Sequence, residues 1–116
     1  MLSEMIALQR EFDARHGWKP EPNSDEERIT MMGRELIGLV GEVGEFANIV
    51  KKLQLLDRFP DEISKELADK CPELADELVD LLIYAVRLAA LVGVDLDKAY
   101  RKKLLFNEKK YRHFER

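Results

Sequence analysis

Two pairs of acidic residues stand at helical spacing within otherwise apolar segments of this chain. Glu42 and Glu45 lie in the segment GLVGEVGEFANIV, and Glu77 and Asp80 lead into a run rich in leucine, valine and isoleucine. Residues three apart on an α-helix project from the same side, so each pair would present two carboxylates together. Because the chain has 23 acidic residues, such pairs also arise by chance. The apolar surroundings are what make these two pairs informative.

The helix that carries Glu77 is predicted to be buried nearly all round, because apolar side chains fill almost every direction beyond that residue. The polar residues between Glu77 and Val94 project within an arc of about 80° at the helical period; they are Glu77, Asp80, Tyr84 and Arg87. A buried carboxylate loses much of its hydration unless it is paired or binds a cation. If the two long helices lie antiparallel, four carboxylates converge, and a divalent ion would relieve their repulsion.

Oxygen ligands of this kind suit Mg²⁺ or Mn²⁺ and do not suit zinc, which prefers histidine and cysteine. Both histidines, His16 and His113, are far from the acidic pairs in sequence. Two structural alternatives remain open from the residues alone. In the first, Glu42 and Glu45 pair with lysines on a solvated face of their helix. In the second, the polar residues from Glu77 onward form a structural ion-pair network with Arg87 as the basic partner.

Hydrophobic periodicity and capping residues predict four main helices and one short additional helix. The expected ranges are Leu2 to about His16, about Asp25 to before Arg58, Asp61 to Asp69, Pro72 to Val92, and Leu96 to about Phe114. Ser24 or Asp25 and Asp95 are the expected N-caps, and Gly93 is the expected end of the fourth range. A polar loop with Pro20 and Pro22 separates the first two helices. No strand-like alternation or repeat is present, so a single antiparallel α-helical bundle over residues 1–116 is the expected fold.

Composition excludes several classes of protein. A net charge of -4 argues against a nucleic acid polymer as partner, because backbone binding needs a basic surface. The N-terminal residues lack the basic and apolar regions of a secretory signal, and the longest apolar stretch, residues 81–94, contains Arg87 and is too short for a membrane span. One cysteine, Cys71, forms no intramolecular disulfide. We therefore expect a cytoplasmic protein without a membrane partner.

The motif G-E-V-G-E at 41–45, followed by D-E-L-V-D-L-L-I-Y at 76–84, resembles the E-x-x-E and E-x-x-D signature of the MazG-like all-α nucleoside triphosphate pyrophosphohydrolases. Residues 93–96 resemble the family's turn into the last helix, and residues 103–111 resemble its terminal K-x-x-x-N-x-x-x-Y pattern. The likeness covers about residues 33–112. Two departures are the somewhat long spacer of 31 residues between Glu45 and Glu77, and Glu108 where a basic residue is common.

The resemblance implies a Mg²⁺-dependent enzyme that converts a nucleoside or deoxynucleoside triphosphate to the monophosphate and pyrophosphate, by attack of a metal-activated water on the α-phosphorus. Either Glu42 or Glu45 would accept the proton of the water, since a neighbouring negative charge raises a carboxyl pKa. The implied metal ligands are Glu42, Glu45, Glu77 and Asp80. The residues implied near the triphosphate or sugar are Lys103, Asn107 and Tyr111, with Lys51 and Lys110 as weaker matches.

Base recognition and assembly are further expectations. Trp18 and Tyr84 are candidates for stacking on a nucleobase, although Trp18 would equally cover the edge of the core and Tyr84 would equally be satisfied by a carboxylate. The resemblance implies a homodimer or homotetramer, and by analogy a role in house-cleaning of the nucleotide pool.

Two other kinds of helical protein also place acidic residues on helices. A ferritin-type di-iron bundle is excluded because it requires Glu-x-x-His motifs, which are absent here. A non-catalytic oligomerisation or regulatory module, whose acidic stripe pairs with a basic partner, remains the alternative and predicts no dependence on divalent ions.

Overall fold

The computed structural model describes residues 1–18 and 21–116, and in that part of the chain it contains four α-helices and no strand. The helices are α1 (Leu2–Arg15), α2 (Asp25–Gln54), α3 (Pro60–Val92) and α4 (Leu96–Lys110), followed by a 3₁₀ turn, Arg112–Phe114. The predicted all-α class is confirmed. Pro20, a residue of the predicted loop, lies outside the described residues. None of the described helices has both the length and the hydrophobicity of a membrane span.

The helix ends follow from their capping residues. The Ser24 hydroxyl accepts a hydrogen bond from the Glu27 amide at 3.1 Å, and the Asp95 carboxylate accepts one from the Lys98 amide at 3.1 Å. Each contact satisfies an amide that the first turn of a helix leaves unpaired. Gly93 ends α3 with φ of 81°, a left-handed conformation that glycine adopts without steric cost. These three predicted helix boundaries are confirmed.

The predicted break before Pro72 is wrong, because α3 runs without interruption from Pro60 and contains Pro72 in its interior. Pro60 occupies the first turn, where the missing amide costs nothing. Pro72 leaves the carbonyl of Ala68 without its helical partner, but Ala68 is exposed and water can solvate that carbonyl. Strong helix formers flank the proline on both sides. The last helix is also shorter than expected, since it ends at Lys110 and a separate 3₁₀ turn follows.

The antiparallel pairing of α2 with α3 is the main packing contact of the chain. Ile49 of α2 and Val86, Ala89 and Leu91 of α3 are the buried apolar side chains, while α1 rests on α3 and α4. One side of α2 is shielded along much of its length by residues at helical spacing: Met31, Glu35, Gly38, Leu39, Glu42, Phe46, Ile49 and Leu53. Two glutamates therefore lie on the packed side of this helix, between apolar neighbours.

The prediction that the acidic helix is buried nearly all round holds within the single chain for residues 80–91, which are all half-buried or buried, but not for the turn before them. Leu78 and Val79 of α3 are each 53% exposed, and α2 carries a second apolar side that includes Ile37 at 74% exposure. The accessible surface is 9335 Å², whereas a compact monomer of this mass exposes roughly 6,500 Å². Large apolar faces of α2 and α3 are therefore uncovered within one chain.

Gly38 sits where the Tyr84 ring crosses α2, and a Cβ atom at this position would overlap the ring. We predict that Gly38→Ala lowers the free energy of unfolding by about 1–3 kcal/mol, the usual cost of overpacking. Gly33→Ala is the matched control, because a Cβ atom at that position of the same helix would meet only open space. That control should gain about 0.5–1 kcal/mol from better helix propensity. Urea titration of both variants measures the difference, and equal effects would contradict the close approach of Tyr84.

Candidate metal centre

Three of the four predicted metal ligands meet between α2 and α3. Glu42, Glu45 and Glu77 each place one carboxylate oxygen so that the three atoms lie within 4.8 Å of one another. Glu42 and Glu77 are half-buried and Glu45 is exposed, so the cluster lies between the helices and opens to solvent on one side. The antiparallel pairing brings together residues that are more than thirty positions apart in sequence.

The electrostatics of this cluster are unfavourable without a cation or a proton. Atoms Oε2 of Glu42 and Glu77 are both buried and have no hydrogen-bond partner when the carboxylates are ionised. A contact between two carboxyl groups becomes a hydrogen bond only when one of them holds a proton. The hydrogen bond with Glu42, followed by burial and the Glu45 charge, raises the pKa of Glu77 to about 8. Among the described ion pairs, none joins these three carboxylates to a lysine or arginine.

A hard divalent cation fits this arrangement. Carboxylate oxygens are the ligands that Mg²⁺ prefers, and Mg²⁺ usually takes only a few protein ligands and retains waters. Asp80 follows Glu77 by one turn of α3 and is half-buried, although its oxygens are not among the three that lie within 4.8 Å of one another. Asp80 thus lies one turn along α3 from the cluster of three, and its role as a metal ligand stays a prediction.

An open cavity of about 320 Å³ adjoins the cluster and shares Glu45 and Glu77 with it. Its other polar lining residues include Asn48, Lys52 and Lys70, none of which the sequence had singled out. A helical projection would have found two of them, because Asn48 and Lys52 follow Glu45 by three and seven residues on the same side of α2. The cavity therefore combines carboxylates with two amines next to the candidate metal centre.

Arg87 does not neutralise the acidic cluster, so the alternative in which it pairs with that stripe is wrong. Its Nε donates to Oδ2 of Asp13 at 3.1 Å, and its Nη2 donates to Oδ1 at 3.0 Å. Its Nη1 lies 4.0 Å from Oε2 of Glu35. The hydrogen bonds that Arg87 donates to Asp13 raise the pKa of the Arg87 guanidinium further above its ordinary value.

Trp18 and Tyr84, the two candidates for base stacking, both lie beside this guanidinium. The carbon at the centre of the Arg87 guanidinium is 5.8 Å from the ring centroid of each. Trp18 also stacks on His16, with 5.0 Å between ring centroids. Two residues far apart in sequence are thus brought to the same guanidinium.

Sequence reasoning missed Asp13 and Glu35, although both carried a signal. Asp13 continues the spacing of Leu2, Ile6 and Gln9, which are the shielded residues of α1. A charged residue in register with a packed face requires a buried partner. Glu35 precedes Glu42 by seven residues, which is two helical turns, and so shares its side of α2.

The predicted triphosphate ligands of α4 are not brought to the cluster within one chain. Lys103 and Asn107 belong to α4 and Tyr111 caps its C-terminal end; α4 packs on α1 and on the terminal 3₁₀ turn. In the described part of the chain, the Lys103 amine lies over the Phe106 ring at 4.9 Å, and the Lys110 amine over the Tyr111 ring at 5.2 Å. Lys51 is exposed near the end of α2 and does not line the cavity beside the cluster.

The fold and the site define an all-α protein in which two antiparallel helices present a carboxylate cluster suited to a divalent ion. The chain is 35% identical over 113 residues to dCTP pyrophosphatase 1 of Bos taurus. The aligned region covers 95% of this chain and 59% of the relative. It is 34% identical over 111 residues to the proteins of the same name from Rattus norvegicus and Homo sapiens, covering 95% of this chain and 58% of each.

These similarities support the resemblance found in the sequence, because the relatives are nucleotide pyrophosphatases that match this chain over 95% of its length. It spans about three fifths of the length of the curated relatives that it matches. No family model matches the chain, and no solved structure does.

The raised pKa of Glu77 predicts how the stability of the metal-free protein depends on pH. Its carboxyl group has an ordinary value of 4.5 and titrates at about 8 in the folded chain, so only the folded state holds this proton between those values. The contribution of this proton to the free energy of unfolding is therefore fully present below pH 4.5 and is lost as pH rises through 8. We expect the Tm in a chelator to fall between these limits, and Mg²⁺ to reverse the fall at the alkaline end.

Glu77→Gln should flatten this pH profile, because the amide does not titrate. Asp76→Asn is the matched control, since Asp76 is the exposed neighbour on the same helix and should leave the profile unchanged. Differential scanning calorimetry over the pH range measures all three proteins. An identical slope in Glu77→Gln and the parent protein would contradict the assignment of the shifted proton to Glu77.

Proposed function

We propose that this chain is a Mg²⁺-dependent nucleoside triphosphate pyrophosphohydrolase, and that deoxycytidine triphosphate is the first substrate to test. The observation that carries the proposal is the convergence of Glu42, Glu45 and Glu77, with two buried oxygens that lack a hydrogen-bond partner. The homologous pyrophosphatases support the class of reaction and suggest the deoxycytidine nucleotide. Clearing excess or noncanonical deoxynucleotides is the corresponding role in the cell.

In the proposed reaction, water attacks the α-phosphorus, the bond from that phosphorus to the bridging oxygen breaks, and pyrophosphate leaves. Magnesium, when bound, would polarise the phosphoryl oxygens and lower the pKa of water. Glu42, Glu45, Glu77 and Asp80 would hold it. Glu45 is exposed on the open side of the cluster, so we assign it the proton of the attacking water in preference to Glu42, whose Oε2 is buried.

We further propose that a second copy of the chain completes the site. Lys103 and Asn107 lie on α4 and Tyr111 caps it, and among the described residues the main packing partners of α4 are α1 and the terminal 3₁₀ turn. The uncovered apolar faces of α2 and α3 provide the surface on which another copy would dock, and burying them would remove the excess exposed area. The α4 residues of one copy would then approach the acidic cluster of the other.

The test of the reaction is release of pyrophosphate from a panel of canonical and modified nucleoside and deoxynucleoside triphosphates, with Mg²⁺ and with a chelator. We expect metal-dependent turnover that falls by at least about 100-fold in Glu42→Gln and in Asp80→Asn, since even an outer-shell partner of a metal ligand is worth about 10- to 100-fold. Asp69→Asn, an exposed residue of the same helix as Asp80, should leave turnover unchanged.

Folded variants with undiminished turnover would overturn the carboxylate mechanism. Absence of turnover on every nucleotide would instead favour the non-catalytic module with a basic partner. Circular dichroism of each variant separates these results from simple loss of folding.

Mixing two inactive variants tests whether a second copy completes the site. Glu42→Gln and Lys103→Met affect different elements, so a randomly mixed dimer with shared sites regains one intact site in each heterodimer. We expect recovery of about a quarter of the parent activity, and a solution mass that is a multiple of 13.5 kDa by light scattering. No recovery in exchanging dimers would show that each chain builds its own site.

A further inference from the structure

The carboxylate of Asp13 is the one buried polar side chain among the described residues, at 4% exposure. It accepts two hydrogen bonds from Arg87 and a third from Nε2 of Gln9 at 2.9 Å. A buried ion pair contributes little net stability, because desolvation offsets the attraction. Its fixed geometry nevertheless gives the guanidinium one orientation.

That orientation leaves part of Arg87 available to a ligand. Of the five N–H donors of a guanidinium, Asp13 engages one on Nε and one on Nη2. The Nη1 atom faces Glu35 at 4.0 Å, which is too long for a good hydrogen bond. Arg87 thus presents hydrogen-bond donors beside the acceptors of Glu35. A guanidinium can only donate and an ionised carboxylate can only accept.

Both residues line an open cavity of about 100 Å³. Trp18, Met31 and Leu91 supply an aromatic and apolar lining, and Arg34 completes it. Flat aromatic rings fit such a site, because a base stacks on an aromatic side chain while its edge is read by polar groups. The small volume favours a single six-membered ring over a fused purine.

The cavity lies at a suitable separation from the proposed metal centre. Glu35 precedes Glu42 by seven residues, and Arg87 follows Asp80 by seven, which corresponds to about 10 Å along each helix. Because α2 and α3 are antiparallel, these two steps lead in the same direction. A nucleotide whose phosphates lie at the acidic cluster would extend its base toward Arg87 and Glu35.

We propose that Arg87 and Glu35 determine base specificity at this site, and that Asp13 positions Arg87 for that purpose. The inference rests on the proposed function and deepens it. A cytosine ring presents two neighbouring acceptors, N3 and O2, to the Arg87 donors and its 4-amino group to the Glu35 carboxylate. A uracil or thymine ring would place N3–H against Arg87 and O4 against Glu35, so the contacts at N3 and at position 4 would be lost and only O2 would still accept from Arg87.

The first experiment compares kcat/KM for deoxycytidine and deoxyuridine triphosphates. Glu35→Gln leaves the Asp13 and Arg87 pair intact, yet its amide both donates and accepts. We expect this variant to reduce the preference for the cytosine nucleotide about tenfold, and Asp13→Leu combined with Arg87→Met to reduce it about 10- to 100-fold. The double change avoids leaving one buried charge unpaired.

The matched control removes an ion pair of the same composition on α4. Asp97 and Arg101 of α4 are 3.1 Å apart, and the Arg101 side chain is largely exposed. Asp97→Leu combined with Arg101→Met should leave the ratio of the two substrates unchanged. Unchanged ratios in Glu35→Gln and in the Asp13 and Arg87 double variant, with turnover retained, would overturn the proposal and leave only a structural ion pair.

Binding without catalysis provides an independent measurement. Trp18 is the single tryptophan of the chain, so its fluorescence reports directly on this cavity. Deoxycytidine monophosphate should change the emission at lower concentration than deoxyuridine monophosphate, and Glu35→Gln should reduce that difference. Equal binding of both nucleotides by the parent protein would also overturn the proposal. If no triphosphate is hydrolysed, the proposed reaction fails, and this titration still decides whether the cavity reads cytosine.

Discussion

Repulsion among three carboxylates between α2 and α3 is the constraint on which the rest of the site depends. Helix packing forces Glu42 and Glu77 to share an enclosed space that offers their inner oxygens no donor. The protein has only two means of neutralising such a cluster, which are a proton or a cation. The hydrogen bond with Glu42, burial and the neighbouring charges raise the pKa of Glu77, so that it holds a proton, whereas a divalent ion removes the need for that proton. The repulsion among the carboxylates therefore makes metal binding depend on pH and links it to the stability of the helix pair.

The register of the helix pair extends this constraint along the interface. With the acidic residues of α2 and α3 opposite each other, Tyr84 must cross α2 where Gly38 leaves room for its ring. One turn further, Arg87 reaches Asp13 and Glu35. A cation close to the acidic cluster would compete with the metal for the same carboxylates. The buried Asp13 instead holds the guanidinium two turns away from them, so the acidic end and the mixed-charge end of the interface remain separate.

Local rules predicted much of the fold, because caps and periodicity act within a few residues. Ser24 and Asp95 begin their helices and Gly93 ends its helix through contacts in their own turns, and each was predicted. Pro72 was misinterpreted, since the carbonyl of Ala68 that it leaves unpaired is exposed to water and strong helix formers on both sides continue the helix. The association of Glu42 with Glu77 was predicted from the cost of burying charge. The partners of Arg87 were not, because α1 reaches α3 through a tertiary contact that periodicity does not specify.

The exposed apolar faces of α2 and α3 link the electrostatics of the acidic cluster to assembly of the chain with a second copy. A pair of long helices buries only one side of each, so the second apolar side of α2 and residues such as Leu78 remain in water within one chain. Sequence periodicity correctly detected that these sides are apolar, but it does not distinguish burial within a chain from burial between copies. Covering them with a second copy would lower the dielectric around the acidic cluster and exclude water from its open side. Assembly would then strengthen the electrostatic interactions that make a cation necessary.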